Sequence, residues 1–136
     1  LLDAIGRTIN KIGNAQKHTA EDYRAEKVMF VIITDGEENS SREYSAEKVK
    51  TQIERQKTKY RWEFIFLGAN IDAVQTAGRF GIAPDRAVDY LADSEGTELN
   101  FKVMSATVAT FRESGTVDEA CFEEIHKDVK RRGGRK

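Results

Sequence analysis

Apolar side chains at Leu2, Ile5, Ile9 and Ile12 recur at helical spacing, so the chain opens with an amphipathic helix near residues 2–13 that Gly6 and Gly13 weaken. The polar stretch from Asn14 to Arg24 reads as helix end and loop. Residues 28–33, VMFVII, then form a short, continuous, β-branched run that stops at Thr34-Asp35-Gly36. A run of that length with no polar alternation predicts a strand covered on both faces, as in a parallel sheet. A polar loop, GEENSSREY, occupies 36–44. Ala46, Val49, Ile53 and Tyr60 trace a second helical stripe, near 45–59. Residues 62–67, WEFIFL, give a second strand ended by Gly68-Ala69-Asn70. A third helix is expected near 71–80, closed by Gly81, and a third strand at 87–91. Asp93-Ser94 stands at the head of a fourth helix, near 96–112, which Ser114-Gly115 ends. Thr116 and Glu119 have the spacing of a capping box, and Phe122, Ile125 and Val129 line a last helix near 117–130.

The order α-β-α-β-α-β-α-α predicts an α/β fold with a mostly parallel sheet, since parallel neighbours need a crossover helix. Right-handed crossovers put helices on both faces, a three-layer α/β/α arrangement. No repeat and no long linker divides the 136 residues. The first residue is not Met, and the chain reads as a segment of a longer gene product. No apolar run approaches a membrane span. The lone cysteine, Cys121, excludes an internal disulfide and suits a reducing, cytoplasmic setting.

A net charge of -1 conceals an uneven distribution: residues 126–136 sum to +5 and the other 125 to -6. A body of that sign disfavours nucleic acid as a partner. The basic end reads as a solvated tail, with docking of a partner as its alternative use.

Ligands of open α/β sheets bind at the carboxyl ends of the strands. Three segments fall there: 34–41, with Asp35, Glu37, Glu38 and Asn39; 68–72; and 92–95. The oxygen donors of the first suit Mg²⁺ or Ca²⁺ rather than Zn²⁺. The competing reading is a solvated loop of turn formers, because EF-hand spacing is absent. His18 and His126 stand far apart with no second His or Cys at ligand spacing. Neither has a nucleophile beside it, no phosphate-binding glycine loop comes after any strand, and Cys121 reads as a buried thiol on an amphipathic helix.

At residues 28–39, VMFVIITDGEEN, the chain resembles the von Willebrand factor type A family, whose fourth strand ends in Thr-Asp-Gly. The opening LLDAIGRTI resembles the helix after that family's metal-site threonine loop. The stretch FIFLGANIDA…GI…AVDYLADSEGT resembles the fifth strand to last helix of a bacterial or phage-like branch. The resemblance covers residues 1–113 and leaves 114–136 as a terminal helix and basic tail. It implies a Rossmann-like fold and makes Asp35 a metal-site residue, with Thr34 and Glu37 flanking it. The family's Asp-x-Ser-x-Ser strand does not occur in the sequence, so the resemblance implies a domain without its amino-terminal strands and with an incomplete site. Mg²⁺ is then expected to bind weakly or not at all.

The function that the resemblance implies is that of a non-catalytic, protein-binding module. In the complete domain a divalent metal would assist it by capturing a carboxylate from the partner. The alternatives are a small Mg²⁺-dependent hydrolase using Asp35, Glu37 and Glu38, or a structural module that binds through its basic tail. Without a neighbouring first strand, the edge of residues 28–33 is bare, which predicts a two-fold homodimer paired along it, ahead of an exchange of elements with a second copy or pairing with a separately encoded amino-terminal half.

Overall fold

The computed structural model describes residues 1–17, 28–36, 43–117 and 119–132. Helix α1 (Leu2–Lys17) leads into strand β1 (Met29–Asp35), helix α2 (Ala46–Tyr60) and strand β2 (Glu63–Ala69). Helix α3 (Ala73–Arg79), strand β3 (Ala87–Asp89), helix α4 (Ser94–Ser114) and helix α5 (Glu123–Arg132) complete the order that the sequence predicts. The sheet is parallel in both of its pairings, and its order is β1-β2-β3. β1 lies along β2 with Met29 beside Glu63 and Asp35 beside Ala69.

Side chains alternate across each strand, so the two faces collect different partners. Phe30, Ile32, Phe64, Phe66 and Ala87 pack with Ile5 and Ile9 of α1, Val49 and Ile53 of α2, and Ala73 and Ala77 of α3. Ile65, Leu67 and Val88, with Met29 and Val31 beside them, pack with Val103, Met104 and Phe111 of α4 and Ile125 of α5. Helices thus flank both faces, compatible with a three-layer α/β/α arrangement. A row of rings, Phe30, Phe64 and Trp62, crosses the first face with centroids 5.4 and 6.1 Å apart.

The glycine that weakens α1 has a packing cause. A Cβ on Gly6 would lie 2.4 Å from the Tyr44 ring. Asp3 Oδ1 accepts from the backbone N–H of Glu43 and Tyr44, and Asn10 Nδ2 donates to Tyr44 Oη at 2.8 Å. α1 is therefore docked onto the segment that leads into α2, and the ring needs the space that a side chain would take. α1 also runs past Gly13 to Lys17. His18 and the rest of the expected loop up to Arg24 lie outside the described residues, as do residues 25–27.

Three further details differ from the sequence reading. β3 stops at Asp89 rather than at residue 91. Asp89 turns its carboxylate to the Ala73 N–H, while Tyr90 still donates its N–H to Gly68 O. The last helix opens with a 3-10 turn, Glu119–Phe122, and becomes α-helical only at Glu123. The Thr116 hydroxyl sits 2.9 Å from the Ser114 hydroxyl, within the turn that ends α4. Finally, α5 continues to Arg132, so Arg131 and Arg132 are not part of a solvated tail.

Arg132 shows why. Its guanidinium binds both oxygens of the buried Asp128 at 2.7 Å and reaches Asp93 at 2.8 Å. Arg131 joins Asp128 and Glu95. Asp93 is also the N-cap of α4, accepting from Gly96 N–H at 2.7 Å. The end of α5 is thereby fastened to the start of α4. Hydrogen bonds from Arg132 hold the Asp128 and Asp93 carboxyls below their ordinary value, and those bonds push the guanidinium up.

Candidate functional site at the carboxyl ends of the strands

The carboxyl ends of β1 and β2 are joined by backbone and side chain together. Gly36 N–H donates to Ala69 O at 3.0 Å, and Gly36 takes a φ of 110°, which glycine alone adopts readily. This places Asp35 at the rim of the sheet with an exposed side chain. Beyond Ala69 the chain turns through Asn70, whose φ of 59° is left-handed. Asn70 Nδ2 donates to Asp35 Oδ1. On the other side of β2, Tyr90 is nearly buried. Burial pushes its hydroxyl up, and the charge of Asp35 adds to that, so the ring lies within electrostatic reach of the carboxylate.

The remaining rim carboxylates among the described residues are engaged in holding the fold. Asp72 caps α3 by accepting from Gln75 N–H at 3.1 Å. Asp89 takes the Ala73 N–H, and Asp93 takes Gly96 N–H and Arg132. Asp35 caps no helix, and Asn70 is the hydrogen-bond partner that its side chain finds among the described residues. Thr34 turns its hydroxyl toward Gly36 O at 3.4 Å.

The structure thus places Asp35 where the sequence reading expects it, joins it to Asn70 of the rim segment 68–72, and adds Tyr90, which that reading does not assign to a site. Glu37, Glu38 and Asn39 lie outside the described residues. Among the described residues no three His, Cys, Asp or Glu side chains converge on a common point. His126 stands on α5, exposed, and Cys121 is half-buried in the turn before it.

The outer side of β1 is the second exposed feature. Gly36 N–H and Val28 C=O both point to β2, the latter accepting from Glu63 N–H at 2.9 Å. Backbone groups alternate in direction along a strand, so those of Phe30, Ile32 and Thr34 also face β2. Those of Met29, Val31, Ile33 and Asp35 face away from it. Among the described residues β1 pairs with β2 alone. Ile33 is 48% exposed, although it belongs to the most apolar run of the chain.

No protein-family model, curated protein or solved structure matches this chain. Among the described residues no helix is long and apolar enough to cross a membrane.

Proposed function

We propose that the chain is a non-catalytic protein-binding module of the von Willebrand factor type A kind, with β1 as its contact element. The observation that carries this reading is the exposure of β1 at two places, the Asp35 carboxylate at its carboxyl end and the Ile33 side chain and outward backbone groups along its edge. An apolar strand with open donors and acceptors recruits another strand. A carboxylate that is free of capping duty recruits a donor or, in a complete domain of this kind, shares a metal with its partner.

The first partner to test is a second copy of the chain. A two-fold axis beside β1 pairs both edges at once and closes the assembly. Light scattering over a concentration series is expected to show a monomer giving way to a dimer. A monomer at every concentration contradicts the self-pairing. The basic end is not the surface invoked, since Arg131 and Arg132 are taken up by Asp93, Glu95 and Asp128.

The role of Asp35 is tested by comparing proteins retained on the immobilised chain with those retained on Asp35→Ala. Proteins held by the first and released by the second support it; identical sets contradict it. Calorimetry with MgCl₂ is expected to show millimolar affinity or no heat. Micromolar affinity lost in Asp35→Ala would mean that the chain holds a full ligand set, and would favour the metal-dependent hydrolase instead.

A further inference from the structure

Two residues other than glycine have positive φ among the described residues, Arg61 and Asn70. Arg61 is explained by its place: it is the left-handed C-cap of α2, its N–H bonded to Gln56 O. Asn70 caps nothing, because the N-cap of α3 is Asp72. Asparagine tolerates the left-handed region better than most residues, yet glycine does so without strain. The backbone alone therefore gives no reason for an amide side chain at this position.

The pairing of the strands supplies one. Asp35 lies directly beside Ala69, and the bond from Gly36 N–H to Ala69 O fixes the two strand ends against each other. A left-handed residue immediately after Ala69 brings its side chain back over the end of β1. There Nδ2 donates to Asp35 Oδ1. A carboxylate only accepts, so the amide must present its nitrogen, and the chemistry dictates the assignment of the two amide atoms. Holding one oxygen leaves the other oriented by the same bond, as the outer ligand shells of binding sites commonly do.

We propose that Asn70 is the positioning residue of the Asp35 site, its amide holding the carboxylate in one rotamer before any partner arrives. The inference rests on the reading of Asp35 as a contact residue and adds the residue that makes the contact preorganised. Ordering an exposed side chain in advance spares the partner that entropy on binding.

Asn70→Gly is the informative variant. Glycine keeps the left-handed backbone, so the fold and its thermal midpoint are expected to hold or rise, while the amide is gone. Three-bond Hα–Hβ and N–Hβ NMR couplings of Asp35 read its χ1 populations. In the unmodified chain they are expected to report one staggered rotamer, and in Asn70→Gly an average over at least two. Asn70→Asp, with the same shape but no donor, is expected to average as Asn70→Gly does. A single Asp35 rotamer that persists in both variants overturns the proposal, and so does an averaged Asp35 in the unmodified chain. The two readings fail separately. An averaged Asp35 removes the positioning role and leaves the Asp35→Ala comparison standing. A fixed Asp35 whose removal changes no retained protein removes the contact role instead.

Discussion

β1 and β2 are both seven-residue parallel strands, paired residue for residue, yet they meet different surroundings. In β2 every residue after Glu63 is buried, and Ile65, Phe66 and Leu67 are completely so. In β1 only Ile32 is buried, while Ile33 and Asp35 are exposed. Composition does not account for this, since MFVII is as apolar as FIFL. Position does. β2 has a strand on each side and helices over both faces, whereas β1 has a described strand on one side alone. The difference teaches that an apolar run reports the burial a strand is built for, and that β1 carries apolar surface which its described neighbours do not cover.

The largest expected effect lies in β2. Phe66→Ala removes a ring with no exposure that packs, tilted, 6.0 Å from the Phe80 ring. It should cost about 3–5 kcal/mol in urea unfolding, the range for emptying a packed core site. Phe30→Ala, on half-buried β1, should cost clearly less; equal losses would break the comparison.

A smaller effect is expected at the open edge. Ile33→Lys should cost monomer stability about 1 kcal/mol, since only about half of the residue is covered. A charge there blunts a strand edge, so the same variant should abolish the concentration-dependent rise in mass by light scattering. A destabilisation as large as that of Phe66→Ala would show that Ile33 is packed.

The third effect, read through its pH dependence, concerns the network at the far end of the sheet from β1. Hydrogen bonds from Arg132 lower the Asp128 and Asp93 carboxyls from their ordinary 3.8, so the folded state favours their charged forms. That contribution is present above about pH 4 and fades as pH falls through the lowered values. Arg132→Gln should therefore be less stable than the unmodified chain at pH 7, with the gap closing below about pH 4 in thermal melts. A gap that widens in acid would contradict the ion-pair reading.

Local forces were legible in the sequence and long-range ones were not. The element order was legible because helical stripes and apolar runs repeat at short range. Asp35 was legible because a strand ending in Thr-Asp-Gly sets it at the rim. The bond from Asn70 to Asp35 was not: the segment 68–72 was placed at the rim, but the pairing spans 35 positions. The pairing of Arg132 with Asp93 spans 39 positions, so a basic cluster near the end of the chain passed for a solvated tail. Gly6 read as a weakness of α1 because the Tyr44 ring that needs the space lies 38 residues on.

Amide hydrogen exchange followed by NMR at several protein concentrations tests the open edge of β1 most directly. At low concentration the outward amides of Met29, Val31 and Ile33 are expected to exchange fast while those of Phe30, Ile32 and Thr34, bonded to β2, stay protected. As concentration rises, the outward set is expected to gain protection in step with the dimer. Protection of Met29, Val31 and Ile33 equal to that of their neighbours at every concentration would mean that the chain covers this edge itself, and β1 would not be a contact element.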